Sequence, residues 1–174
     1  MEARGRKRTF YRILASALLA LLLVGVLTGC GTGSTPTVSM YDLQMAMLAA
    51  DSTLPKMSSV NGSTENAEKL FSYLSDFPYE KVEDFFLAYS SEGKADEVAV
   101  IALKNAADAA EAKQTLKKHT ENRIKLYQQY EPSQVERVQK ALIFTSGKYV
   151  GLIICNNSPA VKATFDKATA GVSS

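Results

Sequence analysis

The residues of this chain that could do chemistry are few, and their positions give them different uses. Cys30 follows an uncharged apolar run, "ILASALLALLLVGVL" from Ile13 to Leu27, which itself follows Arg4, Arg6, Lys7, Arg8 and Arg12. Such a run places the Cys30 thiol at a membrane surface. Cys155 closes "YVGLIIC", a run apolar on both faces, and reads as a buried strand thiol. No basic neighbour is visible locally to make it reactive. His119 is the only histidine. It lies in a helical pattern between Lys118 and Thr120, with no Cys or carboxylate at metal-ligand spacing, and reads as a solvated or half-buried helix position whose loss should be nearly silent. HExxH, GxSxG and a phosphate-binding glycine loop are all missing, so these common hydrolase constellations are not available. Glu97, at the start of a strand-like run, and Arg123, late in a helical one, are candidates to pair across the two elements. A pair of this kind more often orients its elements than grips a ligand. Tyr79, Phe85, Phe86, Tyr89, Tyr127 and Tyr130 could line a groove where strand meets helix, although such aromatics are more often core. The candidate ligand contacts are therefore Glu97, Arg123, Tyr127 and Tyr130, with no catalytic residue, cofactor or metal site assigned.

The basic start, apolar middle and small-residue end of residues 1–29 have the three parts of a secretion signal. The apolar run is shorter than the roughly 18 to 20 residues of a spanning helix. Leu27-Thr28-Gly29-Cys30 resembles the lipobox of bacterial lipoproteins: an aliphatic residue, two small ones and a cysteine. Small residues at 28 and 29 let an extended chain enter a protease site. The resemblance implies a diacylglyceryl thioether on Cys30 and cleavage between Gly29 and Cys30. It places the mature protein at the outer face of the cytoplasmic membrane, lipid-anchored. Residues 30–38 then read as the lipidated cysteine and a loose tether, "GTGSTPT", reaching roughly 15 Å.

Removing residues 1–29 leaves 145 residues, enough for one domain over 39–170. It also removes five bases and one acid from the chain's 20 and 18, leaving 15 bases against 17 acids. That balance offers no basic excess for nucleic acid and no cluster to grip anionic lipid. With Cys30 lipidated, Cys155 is alone and no intramolecular disulfide can form. A monomer without metal or disulfide is the expected form.

The elements that must position the candidates follow from periodicity and breakers. Ser39 and Asp42 open a Met-rich helix, which Pro55 and Gly62 interrupt. "STENAEKLFSYLSDF" reads as a second, amphipathic helix. "VEDFFLAYS" and "EVAVIALK" form a hairpin through Gly93, and "ALIFT" and "YVGLIIC" a second one through Gly147. Between them Asn105 caps the longest helix, about 25 residues, with acids early and bases late as the helix dipole prefers. A short helical piece follows Pro132, and "SPAVKATFDKATA" closes the chain as a helix. These elements predict an α+β fold: a four-stranded antiparallel sheet of two hairpins, packed with one long and several shorter helices. The two strands apolar on both faces should lie centrally, one face under the long helix and the other under the first helices.

The segments "LPKM", "KVEDFFLAYSSEGKADEVAVIALKN" and "YEPSQVERVQKALIFTSGKYVGLII" resemble a family of small secreted bacterial lipoproteins known as domain of unknown function 4358. The likeness covers roughly residues 40–168 and rests on Glu97, Arg123, Tyr130, Pro132 and Gly147. It implies the fold and the compartment and brings no activity or ligand. Two functions stay open on the residues: an anchored module that binds a protein, wall component or small ligand, and an envelope enzyme with a non-standard site. The missing histidine-cysteine-serine constellation favours the module.

Overall fold

The computed structural model describes residues 38–170. The expected signal segment, the Gly29–Cys30 cleavage site, the lipidated Cys30 and the tether up to residue 37 lie outside the described residues. In chain order the elements are α1 (Met40–Ala49), β1 (Met57–Asn61), α2 (Ala67–Phe71), β2 (Val82–Ser90), β3 (Glu97–Leu103), α3 (Ala109–Tyr130), α4 (Val135–Gln139), β4 (Leu142–Ser146), β5 (Tyr149–Ile154) and α5 (Ser158–Thr169). The five strands form one antiparallel sheet in the order β1-β2-β3-β5-β4, so the fold is α+β.

The sheet has five strands where four were expected. The extra one, β1, is "MSSVN", which pairs with β2 from Met57 opposite Ser90 to Asn61 opposite Phe86. It is an edge strand, nowhere fully buried. Two serines and one valine therefore suffice there, and Pro55 and Gly62 on either side mark it as a loop to any reading of periodicity. The second helix is also shorter than its pattern suggests. Asn66 takes the left-handed conformation (φ 59°) at its start, and α2 runs for only five residues.

β3 and β5 are buried at every position and occupy the interior of the sheet. Their side chains alternate between two cores. Ala99, Ile101, Val150 and Leu152 face one core, with Phe85 of β2, Phe71 of α2 and Ala112, Leu116 and Tyr127 of α3. Val98, Val100 and Ile153 face the other, with Phe86 of β2, Leu43 and Met47 of α1, and Val161 and Phe165 of α5. The Met-bearing first helix is thus the second-face cover, as expected, but it shares that role with α5, and α2 lies on the α3 side. Close packing at the β5–β4 edge needs Gly151: the Phe144 ring of the facing residue occupies the space a Cβ would take.

Two caps set the helices that matter most. The Ser39 hydroxyl accepts the Asp42 amide at 3.3 Å to start α1. The Asn105 side chain accepts the Ala107 amide at 3.0 Å, opening the 3-10 turn that runs into α3.

Candidate ligand-binding site

His119, Arg123 and Tyr127 follow one another at intervals of four along α3, so they share one face of the helix. That face meets the start of β3 and the turn that precedes it. Glu97, the first residue of β3, is 1% exposed. One of its oxygens (Oε2) lies 3.0 Å from Arg123 Nη1 and the other (Oε1) 2.7 Å from His119 Nε2. The expected Glu97–Arg123 pair is formed. His119 is half-buried, one of its two expected placements, but its side chain, 15% exposed, is bonded to a buried carboxylate that was not anticipated. The partner lies 22 residues away in sequence, which local spacing does not reveal. The four-residue stripe with Arg123 and Tyr127 is the signal that could have found it.

The same face holds the β2–β3 turn. Arg123 Nη2 donates to the Ala95 carbonyl at 3.1 Å and to the Tyr127 hydroxyl at 3.3 Å. Tyr127 in turn donates to the carbonyls of Lys94 (2.8 Å) and Gly93 (3.2 Å). Gly93 adopts φ 77°, a left-handed conformation that glycine takes without a side-chain clash. Burial pushes the Tyr127 phenol above its ordinary pKa, against the opposing pull of the Arg123 charge, so the hydroxyl stays a donor at neutral pH. From the other side, Gln134 accepts the Ala95 amide at 3.0 Å, and Arg137 of α4 pairs with the buried Asp96. The Lys94 ammonium sits 3.0 Å from Glu131 and holds that carboxyl below its usual pKa.

Beside this network is a cavity of about 360 Å³. Its apolar walls come from Val60 of β1, Leu70 of α2, and Leu87 of β2; Tyr73 and Tyr89, 64% and 39% exposed, stand at its mouth. Its polar end is made by Ser90, Gly93, Lys94, Arg123 and Tyr127. The volume lies within the roughly 300 to 1,000 Å³ of small-molecule sites, and few polar groups among apolar walls is their usual character. A smaller hollow of about 170 Å³ adjoins His119, with Ser75, Asp76, Thr115, Lys118 and Asn122 around it. Glu97 therefore binds one lining residue of each.

Of the candidates, Glu97, Arg123 and Tyr127 come together. Tyr130 does not join them; it is 78% exposed and outside the cavity lining. Within the aromatic set, Phe85 and Phe86 are core residues of opposite faces, and Tyr79 packs on the rings of Phe71 and Phe85 at 5.4 and 6.2 Å. Only Tyr89 and Tyr127 line the cavity. The Cys155 thiol is half-buried, and burial pushes its pKa up to about 11, so it is a protonated, slow nucleophile at neutral pH. Leu70, Tyr73 and Lys94 had no sequence signal that set them apart, because they converge only through the tertiary fold.

A family model described as Domain of unknown function (DUF4358) matches residues 56–155, from β1 through β5, a stretch that contains every residue lining the cavity. No curated protein and no solved structure matches the chain.

Proposed function

This chain belongs to the DUF4358 family, and from that premise we propose that it is a lipoprotein held at the outer face of the cytoplasmic membrane by lipid on Cys30, whose folded domain is a binding module. The anchor rests on the charged start, the apolar run and Leu27-Thr28-Gly29-Cys30. The binding role rests on one observation above all: a cavity of about 360 Å³ with apolar walls, two exposed tyrosines at its mouth and a fixed arginine in its lining. Its test is native mass spectrometry of the full-length lipoprotein released gently from membranes, beside Leu70→Trp, which fills the cavity. The wild type should carry a small molecule that the variant lacks. Identical spectra without a bound mass would remove the binding role.

A second reading, an envelope enzyme, has one observation in its favour. A carboxylate that orients an imidazole is half of a general-base arrangement, and Glu97 and His119 have that geometry at 2.7 Å. The hydroxyls of Ser72, Ser75 and Thr115 line the same hollow, but each is already bonded within the protein, Ser72 to the Lys69 carbonyl at 2.7 Å and the other two to each other at 2.6 Å. Binding is the better supported reading. Turnover of cell-wall fragments that disappears in Glu97→Gln would reverse the order.

A further inference from the structure

Resting on the reading of the cavity as a binding site, we infer that its ligand is an anion with an apolar or aromatic body, the acidic group seated against Lys94 and Arg123. Among the described residues the lining holds two cationic side chains and no acidic one. Both counter-charges lie outside the lining: Glu97, its side chain 2% exposed, is bonded to Arg123 Nη1, and Glu131 lies 3.0 Å from the Lys94 ammonium. Glu97 fixes the guanidinium from outside the cavity lining. The second terminal nitrogen is fixed as well, on the Ala95 carbonyl and the Tyr127 hydroxyl.

These facts separate three ligand classes. A cation would approach Lys94 and Arg123 with no lining carboxylate to receive it. A neutral apolar molecule would fill the walls and strip water from the two lining cations without compensating their charge, which is costly. An acidic oxygen meets the Lys94 ammonium beside the positive charge of an arginine already held in place, and charge-assisted bonds are the stronger kind. The walls, Val60, Leu70 and Leu87 with the rings of Tyr73 and Tyr89, take the rest of the molecule.

The probes are 3-phenylpropanoate, 3-phenylpropanol and 3-phenylpropylammonium, which share a body and differ in charge. They are titrated calorimetrically into the full-length lipoprotein in phosphatidylcholine nanodiscs, with empty nanodiscs subtracted. The carboxylate should bind at least about tenfold tighter than the alcohol, a preference of the size that one charge-assisted contact gives. Lys94→Gln, at an exposed position, should keep the fold by circular dichroism and shrink that preference several-fold. Arg123→Gln should abolish it; should that variant unfold, Lys94→Gln alone decides. Leu70→Trp should block all three probes. If the alcohol or the ammonium binds as tightly as the carboxylate and Leu70→Trp still blocks it, the anion is wrong and the binding site stands. A preference unchanged in Lys94→Gln also overturns the anion. If no probe binds, or Leu70→Trp changes nothing, the anion and the binding site fall together.

Discussion

A carboxylate that is 1% exposed must be matched by charge and hydrogen bonds or give up its ionisation, and Glu97 is matched on both oxygens. Removing its charge leaves the positive partner unmatched. In Glu97→Gln the Arg123 guanidinium keeps the Ala95 carbonyl and the Tyr127 hydroxyl but loses its counter-ion. Breaking one side of a buried pair typically costs about 3 to 5 kcal/mol. Arg123 borders a cavity, so the low end of that range is expected, read as a shift in denaturant midpoint. His119→Ala leaves one Glu97 oxygen without a donor and should cost about 1 to 3 kcal/mol. An exposed helix position would cost within about 0.5 kcal/mol, so one titration distinguishes the two placements of the histidine. At this scale the sequence was half legible. Glu97 and Arg123 carry opposite charges at the edges of recognisable elements, and their pairing could be anticipated. His119 was obscured because an acid 22 positions away leaves no trace in local spacing.

β3 and β5 announce themselves through unbroken apolar runs, and interior strands covered on both faces are what such runs require. Ile101 faces the α3 core and Ile153 the α1–α5 core, and both are fully buried. Each change to Ala should cost about 2 to 5 kcal/mol in denaturant titration, through lost transfer free energy and a cavity left behind. A loss under about 1 kcal/mol at either would mean that the face concerned is not packed. β1 was illegible for the opposite reason: an edge strand paired on one side needs little apolar content, and its signal fell below that of the flanking breakers. The join between α1 and α5 was equally hidden. Asp51, just beyond α1, accepts the Thr53 amide at 2.9 Å and hydroxyl at 2.6 Å, and the Asn157 amide at 2.8 Å. Burial alone would raise its pKa, but those bonds outweigh burial and the folded value is lowered. A carboxyl whose folded pKa is depressed adds stability that is full above its unfolded pKa and is lost as pH falls through the folded one. Wild-type stability should therefore decline below about pH 4. Asp51→Asn should be less stable at neutral pH, with a shallower acid decline. Parallel curves for the two proteins would remove Asp51 from the acid response.

For the molecule as a whole, the proposed position at the membrane and the proposed recognition in the cavity have separate causes. The expected mature chain is close to neutral, 15 bases against 17 acids, and lacks the basic cluster that would hold it on anionic lipid by charge. Among the described residues no helix is long and apolar enough to cross a bilayer. Attachment in the proposed arrangement thus falls to the lipid on Cys30. One acyl chain gives marginal, reversible binding, whereas two, at about 0.8 kcal/mol per buried CH₂, give a stable anchor. The cavity draws on none of this: its lining runs from Val60 to Tyr127, and the sheet and α3 fix it through contacts within the described domain. The two should therefore separate on mutation. Cys30→Ala should accumulate as an uncleaved precursor that takes up no labelled palmitate, while binding 3-phenylpropanoate with the wild-type affinity. Labelled fatty acid on the Cys30→Ala protein would disprove the anchor. Normal labelling of the wild type together with lost binding in Cys30→Ala would show that lipidation shapes the site, and the independence of the two would be abandoned.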